Sequence, residues 1–125
     1  MSDHLCSPEA LAKLKDAVFR AQYLIKIYAL SQELRPEILS SQLDSCIDVR
    51  DLQWLIRHFE MGDFSELPTI EVCDRSLLSG AEHQYISEIN IIYFAGDFLE
   101  TVSTQTLLTM ILQETINALK RSTGE

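Results

Sequence analysis

The hydrophobic pattern of this chain changes at Gly62, and that change limits the folds open to it. Before this glycine, the apolar residues recur every three or four positions, which is the period of an amphipathic helix. After it, Thr69–Val72 alternates between polar and apolar residues, and Tyr85–Phe94 is rich in β-branched and aromatic residues, as strands are. A helical pattern then returns near the C-terminus. This order of helices, strands and a last helix predicts an α+β fold.

The size of the chain favours one domain. Its 125 residues, of which 46% are hydrophobic, suffice for one sizeable core. We therefore expect a single domain over residues 1–125. Residues 1–60 should form a helical part, and residues 61–125 a strand-loop-strand-helix part. No internal repeat and no low-complexity linker divides the sequence.

The charge balance excludes several classes of partner. The chain has 19 Asp and Glu residues against 10 Lys and Arg residues, which gives a net charge of −9. A field of this sign repels phosphate, so we expect neither nucleic acid nor an anionic membrane as a partner. No apolar run approaches the roughly 18 residues that a membrane-spanning helix needs.

The cysteines and the start of the chain favour a cytoplasmic location. Cys6, Cys46 and Cys73 are odd in number and widely spaced, which is typical of reduced thiols rather than of a disulfide framework. The first residues lack the basic and apolar regions of a secretory signal. Because no Cys or His pair has the spacing of a structural zinc site, we expect no metal and no cofactor.

Capping residues indicate where the helices begin. Ser7 can cap a helix whose first position is Pro8, and Asp48 and Ser103 are placed to cap two others. The predicted helices are Ser7 to about Gln32, a short piece at Glu37–Leu43, Asp48 to about Glu60, a short piece at Phe98–Thr101, and Ser103 to about Arg121.

The predicted β structure is small. Thr69–Val72 should form one strand, Cys73–Gln84 a loop around Gly80, and Tyr85–Phe94 a second strand. The run Ile89–Phe94 is almost continuously apolar, which suits a strand covered on both faces. We therefore expect a short two-stranded element that packs with the N-terminal helices and the C-terminal helix.

The first helix has two apolar stripes on separate faces. The first stripe has the spacing of a core-facing helix and comprises Leu11, Leu14, Val18, Ala21, Ile25 and Tyr28. The second comprises Phe19, Tyr23, Ile27, Leu30 and Leu34. Either the rest of the domain or a second protein molecule must cover the second stripe. We take its first four residues as the candidate partner-binding surface.

Trp54 is a further candidate for contact with a partner. It lies on the opposite side of its helix from the apolar stripe of that helix. It therefore either packs beneath the N-terminal helix or anchors a partner, since Trp is enriched among the residues that dominate binding energy. The expected surface consists of aromatic and aliphatic anchors framed by acidic residues, which repel unsuitable partners.

Two stretches in the second half of the chain resemble a known family. Gly62–Val72 reads GDFSELPTIEV and Gly80–Glu100 reads GAEHQYISEINIIYFAGDFLE, and an apolar helix with Glu114 follows. Together they resemble a domain of bacterial hemolysin-type calcium-repeat proteins, whose pattern is like GDFSGLPTIEI, NTIYLS and LLEEIGH. The resemblance covers Gly62 to about Lys120. It implies a zincin-like minimal unit, in which a strand leads through a turn into a helix with acidic and His residues.

The departures from that pattern lie where zinc chemistry needs ligands. By the resemblance, Gln113 and Asn117 stand where a zincin has its ligand histidines, Glu114 matches a glutamate of the family, and Lys120 replaces an aspartate. Zinc prefers imidazole, thiolate and carboxylate donors, and neutral amide oxygens are weak donors. Without the ion, Glu114 has no polarised water to deprotonate. The resemblance thus implies a pseudoenzyme with a relic site at Gln113, Glu114 and Asn117.

Several alternatives remain open. The relic residues belong either to the solvated polar strip of a core helix or to a cleft that binds a polar group. Glu71, His83 and Glu114 would together suit a metal-dependent hydrolase with an atypical site. Apolar space beneath the N-terminal helix would suit a small-ligand binding protein. The function that the sequence favours is a non-catalytic protein-binding or oligomerising module.

Overall fold

The protein combines five α-helices with one small sheet over the residues that the structure describes. The computed structural model describes residues 5–31, 35–43 and 47–124. The elements are, in order, α1 (Pro8–Leu30), α2 (Pro36–Ser40), α3 (Val49–His58), β1 (Thr69–Cys73), a 3₁₀ helix (Arg75–Leu78), β2 (His83–Ile86), β3 (Ile91–Ala95), α4 (Gly96–Thr101) and α5 (Thr104–Ser122). Over these same ranges, no helix has the length and apolar character needed to cross a membrane. The predicted α+β fold is confirmed.

Side-chain caps begin the three longer helices where the sequence predicts them. Ser7, Asp48 and Ser103 each accept a hydrogen bond from a backbone amide two or three residues further on, at 3.1, 2.8 and 3.1 Å. Such a bond satisfies one of the amides that every helix start leaves unpaired. The predicted starts of α1, α3 and α5 are confirmed.

The helix ends differ from the predicted ones by a few residues. α1 ends at Leu30, because Ser31 already has an extended backbone, and Gln32, the predicted last residue, lies outside the described residues. α3 ends at His58 instead of Glu60, and α2 is shorter than the predicted Glu37–Leu43. Helix ends fray and tighten according to local contacts, which the apolar pattern alone does not reveal.

The fourth helix begins two residues earlier than predicted, at Gly96 instead of Phe98. The Leu5 carbonyl oxygen lies so close to Gly96 that a β-carbon at that position would overlap it. The close approach of these two backbone segments therefore requires glycine. It places the N-terminal end of the described chain against the start of α4.

The core lies mainly between α1 and α5, which pack along each other. Alanines at positions 17 and 21 of α1 are buried, and their small side chains allow the two helices to approach closely. The buried residues of this pair are Ala10, Leu14, Ala17, Ala21, Ile25, Tyr28 and Ala29 of α1 and Leu107, Leu108, Thr109, Ile111, Leu112, Thr115, Ile116, Ala118 and Leu119 of α5.

Lys13 links α1 to the end of α4. Its ammonium donates hydrogen bonds to the carbonyl oxygens of Leu99 and Val102, each at 2.8 Å. Carbonyls at a helix C-terminus have no partner within the helix and carry partial negative charge, so a cation suits them. The basic side chain thus fixes the angle at which α4 meets the first helix.

The sheet has three strands in the order β1-β3-β2. The central strand, β3, runs parallel to β1 with Thr69 opposite Ile91, and antiparallel to β2 with His83 opposite Phe94. Ile92 and Phe94 of β3 lie on one face and are fully buried, whereas Ile91 and Tyr93 on the other face are half-buried, so the predicted full cover of both faces was wrong. The predicted two-stranded element therefore has one strand more than expected.

The prediction of one strand at Tyr85–Phe94 was wrong, because a tight turn divides this segment into β2 and β3. Asn90 adopts a left-handed backbone conformation with φ of 54°, which Asn tolerates better than most residues. The Tyr85 hydroxyl donates to the Asn90 side-chain oxygen at 2.7 Å, and the Asn90 amide donates to the Glu66 carbonyl at 3.3 Å. The first bond closes the turn on β2, and the second fastens it to the segment before β1.

The predicted loop Cys73–Gln84 is also shorter than expected. Its first residue still belongs to β1, and its last two residues belong to β2. Between them, Asp74 caps the 3₁₀ helix by accepting from the Ser76 amide at 2.9 Å. Local hydrogen bonds of this kind give the loop a defined turn structure. Ser, Asp and Gly occur both in such turns and in irregular loops, so the sequence alone does not distinguish the two.

Candidate functional site

One side of α1 presents large apolar residues to solvent. Phe19, Tyr23 and Leu30 are 70%, 55% and 61% exposed, and Ile27 beside them is half-buried. At about 100° per residue, the three exposed side chains lie within about 40° of one another, opposite the buried alanines of the same helix. We call these four residues the outer face of α1. Leu34, which the sequence adds to this stripe, lies outside the described residues.

Two aromatic rings form the centre of the outer face. Phe19 and Tyr23 are one turn apart, and their rings stack with centroids at 6.5 Å and an interplanar angle of 7°. Neither ring is covered, although burial of one such side chain would gain about 1.5–3 kcal/mol. A contiguous apolar patch that remains exposed on a folded domain is typical of an interaction site.

On the solvent side of α1, basic residues slightly outnumber acidic ones, although the whole chain is acidic. α1 has four Lys and Arg residues against Glu9 and Asp16. Lys13 is engaged with α4, and the other three, Lys15, Arg20 and Lys26, are exposed on the solvent side. Lys26 Nζ also lies 5.6 Å from the Phe64 ring. Glu9 and Asp16 are exposed on the same helix, so charges of both signs lie near this face with a small basic excess, and the expected acidic frame stays a prediction.

A groove runs between α1 and the edge strand β1. Its volume is about 330 Å³, and its walls are Leu11, Leu14, Lys15, Val18, Phe19 and Gln22 of α1 and Ile70, Glu71 and Val72 of β1. We call it the α1–β1 groove. Leu11 and Val18, which the sequence places in the core-facing stripe, are half-buried here. Phe19 belongs both to the groove and to the outer face of α1, so the two surfaces are continuous.

Trp54 is half-buried, and the contacts that fix it join α3 to α5. Its indole stacks on the His58 ring at 5.0 Å, and Lys120 Nζ lies 5.4 Å from its ring centre. The same ammonium pairs with Asp51 one turn earlier on α3, at 2.9 Å. Trp54 thus has a packing role between these helices, and its role as a partner contact stays a prediction.

The three relic residues on α5 do not converge on one point. The Gln113 side-chain amide donates to the Asn117 side-chain oxygen at 3.1 Å, so the two amides satisfy each other along the helix. Glu114 projects instead toward β2, where its Oε2 lies 3.7 Å from Nδ1 of His83. The arrangement therefore separates an amide pair from a carboxylate–imidazole pair.

The metal-dependent alternative requires Glu71, His83 and Glu114 to lie together. The fold places His83 beside Glu114, but Glu71 lies elsewhere. The His83 ring packs on Phe94 at 5.7 Å, and its buried Nδ1 has no hydrogen-bond partner. Glu71 lies on β1, on the far side of β3 from His83, and two strand spacings amount to about 10 Å. Within residues 5–31, 35–43 and 47–124, no group of three or more His, Cys, Asp or Glu side chains could hold a metal ion. The three-residue site was therefore wrong in including Glu71.

The described cysteines lack the features of catalytic nucleophiles. Burial raises the pKa of the Cys73 thiol, and the negative charge of Asp74 raises it further. Burial likewise raises the pKa of the Cys6 thiol, with a further contribution from Glu100. Both groups stay protonated at neutral pH, whereas the nucleophile and metal ligand is the thiolate. Cys46 lies outside the described residues.

Comparison of this chain with protein-family models, with curated proteins and with solved structures finds no match. The resemblance to the zincin-like domain of bacterial hemolysin-type calcium-repeat proteins therefore stays a prediction. So does the pseudoenzyme interpretation that depends on it.

Sequence reasoning identified the outer face of α1 but missed the groove beside it. The apolar stripe was visible as a helical period, because both stripes belong to one continuous helix. The groove requires knowledge that β1 is an edge strand and that α1 runs beside it, which is tertiary information. The one local signal was the alternation of Ile70 and Val72 with polar residues, which predicts a strand that is covered on one face.

Proposed function

We propose that this protein is a non-catalytic protein-binding module whose contact surface is the outer face of α1. The observation that supports the proposal is the stacked pair Phe19 and Tyr23, which remains 70% and 55% exposed on an ordered helix. Aromatic side chains that are pre-stacked lose little conformational entropy on binding, and such residues dominate the energy of many interfaces.

The charges near this face favour a partner with acidic residues around an apolar patch. Lys15, Arg20 and Lys26 flank the aromatic pair on the solvent side of the helix. Opposite charges at the rim of an interface raise the association rate and reject unsuitable partners more than they add affinity. The apolar anchors would supply most of the binding energy, and the basic rim would orient the partner.

A paired set of variants tests the contact surface. Phe19→Ser combined with Tyr23→Ser removes the anchors, and Leu77→Ser is the matched control, because Leu77 is 75% exposed on a different part of the surface. We expect proteins from native extract that bind the wild type and the control to be lost from the double variant, as measured by affinity capture with quantitative mass spectrometry. Equal capture by all three forms would refute the outer face as the contact surface.

Self-association is the version of this proposal in which the partner is a second copy. In such a dimer the basic residues beside the outer face of each copy would lie close together, and their repulsion would weaken the dimer at low salt. Sedimentation equilibrium would detect it as a concentration-dependent mass that the Phe19 and Tyr23 substitutions abolish. A single monomeric mass over the whole range, together with partner capture that depends on the aromatic pair, assigns the surface to a different protein.

A metal-dependent hydrolase is a second candidate, because His83 Nδ1 and Glu114 Oε2 lie 3.7 Å apart. Two donors are fewer than the three protein ligands of a catalytic zinc site, so a third must come from elsewhere. Metal analysis of the purified protein and of a Glu114→Ala variant separates the candidates. Stoichiometric zinc that is lost in the variant would support the hydrolase and contradict the non-catalytic role.

A further inference from the structure

The outer edge of β1 presents unpaired backbone groups. β1 is an edge strand, and in a parallel ladder alternate residues direct their N–H and C=O groups to the neighbouring strand. The Thr69 amide donates to the Asn90 carbonyl beside β3, at 3.1 Å. Thr69 and Glu71 therefore bond toward β3, and Ile70 and Val72 direct their backbone groups away from the sheet. In the part of the chain that the structure describes, no other strand lies on that side.

The side chains of these two outward-bonding residues line the α1–β1 groove. Ile70 and Val72 form one wall, and Leu14, Val18 and Phe19 of α1 contribute to the other. The groove volume of about 330 Å³ is at the lower end of the range for pockets that hold compact ligands. A free strand edge beside an apolar groove offers backbone hydrogen bonds and side-chain burial to the same segment of a partner.

We propose that the α1–β1 groove binds an extended segment of a partner protein, which adds to β1 as an antiparallel strand. This inference rests on the proposed protein-binding function and names the partner class. Partner residues opposite Ile70 and Val72 exchange backbone hydrogen bonds with them and direct apolar side chains into the groove. The partner residue between them lies opposite Glu71 on the other face of the sheet, and a Lys or Arg there forms an opposite-charge pair.

Charge argues against a second copy of this chain as the added strand. A symmetric antiparallel pair in which Ile70 bonds with Val72 of the second copy places the two Glu71 residues opposite each other. Their Cα atoms would then be about 4.5 Å apart, and like charges directly opposite each other are destabilising. Two chains of net charge −9 would also repel each other over a longer range. A foreign segment with a cation at the central position avoids both costs.

Synthetic peptides test this inference on the full chain. The first probe alternates valine and lysine, and the second alternates valine and glutamate. Two further lysine probes are N-methylated, one on the valine nitrogens and one on the lysine nitrogens. All three lysine probes have the same charge. In the antiparallel register, only the valine nitrogens donate to β1, so their methylation removes the bonds while methylation of the lysine nitrogens does not.

The readout is the NMR signal and hydrogen exchange of each backbone amide during titration of ¹⁵N-labelled protein. We expect saturable binding of the lysine probe at up to millimolar concentration, with slower exchange of the Ile70 and Val72 amides. Valine-nitrogen methylation should abolish this protection, and lysine-nitrogen methylation should leave it intact. Equal effects of the two methylations, or no protection of these amides, would overturn the inference.

Charge reversal supplies the matched protein variants. Glu71→Lys should lower the affinity for the lysine probe at least about fivefold, since an attractive cross-strand pair becomes a repulsive one. The same substitution should raise the affinity for the glutamate probe. Glu88→Lys makes the same change in net charge on the exposed β2–β3 turn and should alter neither. An equal loss of affinity for the lysine probe in both variants would show that the effect comes from overall charge, and it would refute the proposed register.

The two proposals fail in different ways. If probe-induced shifts cluster at Tyr23 and Leu30 while Ile70 and Val72 stay unchanged, strand addition is refuted and the outer face of α1 stands. If the β1 amides are protected from exchange but the Phe19 and Tyr23 substitutions do not change the binding of native partners, strand addition is supported. The outer face of α1 is then refuted as the contact surface.

Discussion

Lys120 on α5 forms an ion pair with Asp51 on α3, with 2.9 Å between Nζ and Oδ1. The same ammonium lies 5.4 Å from the Trp54 ring centre, so one side chain makes two contacts with the neighbouring helix. This cation therefore joins α3 to α5 and contributes to packing between the two helices.

Lys120→Ala should lower the free energy of unfolding by about 1–2 kcal/mol, because it removes a partly exposed ion pair and a cation–π contact. Both charged side chains are about a third exposed, so solvent screens the pair and limits the effect. Urea denaturation measures it, and Lys15→Ala on the surface of α1 is the control. A double-mutant cycle with Asp51→Ala should give a coupling of about 0.5–1 kcal/mol. A coupling of zero would mean that the pair contributes nothing.

Glu100 predicts a specific dependence of stability on pH. Its carboxylate accepts hydrogen bonds from the Ser7 hydroxyl and the Ser7 amide, both at 2.7 Å, and these bonds lower the pKa of Glu100 in that order of importance. A carboxyl whose pKa is lower in the folded state stabilises the fold above its unfolded pKa. That contribution is lost as the pH falls through the folded value.

The corresponding test compares Glu100→Gln with the wild type across pH. The variant should be less stable at neutral pH, and the difference should narrow as the pH falls below the ordinary pKa of a glutamate and through the lower pKa of the folded state. Urea midpoints measured across this range decide the matter. Glu88→Gln, on the exposed β2–β3 turn, is the control. A difference that stays constant with pH would mean that the charge of Glu100 has no part in fastening Ser7.

The turn at Asn90 predicts a graded response to substitution. Asn90→Ala should destabilise the protein by about 1–3 kcal/mol, because alanine must hold a φ of 54° and the bonds to Tyr85 and Glu66 are lost. Asn90→Gly loses the same bonds but tolerates the backbone conformation, so it should cost less. Thermal unfolding of both variants gives the comparison. An equal loss in the two would show that the side-chain bonds, and not the backbone conformation, determine the turn.

The same turn shows where sequence reasoning ends. Ser7, Asp48 and Ser103 were recognised as caps because capping is a local interaction within a few residues. Asn90 was missed because apolar and β-branched residues surround it, and the period of a strand and that of a short hairpin are hard to separate over so few positions. Its conformation depends on a bond to the Glu66 carbonyl, which lies 24 residues earlier in the chain.

The candidate site divides in the same way. The outer face of α1 follows from the helical period, which places Phe19 and Tyr23 together without any tertiary information. The meeting of His83 with Glu114, and the free edge at Ile70, depend on how the strands and α5 are ordered in space. A single sequence does not show that order, so the three-residue alternative named two residues that lie close together and a third, Glu71, that does not.

Substitutions on the two faces of α1 should separate binding from folding. Phe19→Ser combined with Tyr23→Ser should change the free energy of unfolding by less than about 1 kcal/mol, because both rings are more than half exposed. Leu14→Ala, on the buried face, should cost about 2–5 kcal/mol, since Leu14 is 3% exposed and its truncation leaves a cavity. Urea denaturation of each variant, beside its partner binding, makes the comparison. If the double variant were as unstable as Leu14→Ala, the aromatic pair would be part of the fold, and loss of binding could no longer be assigned to the outer face.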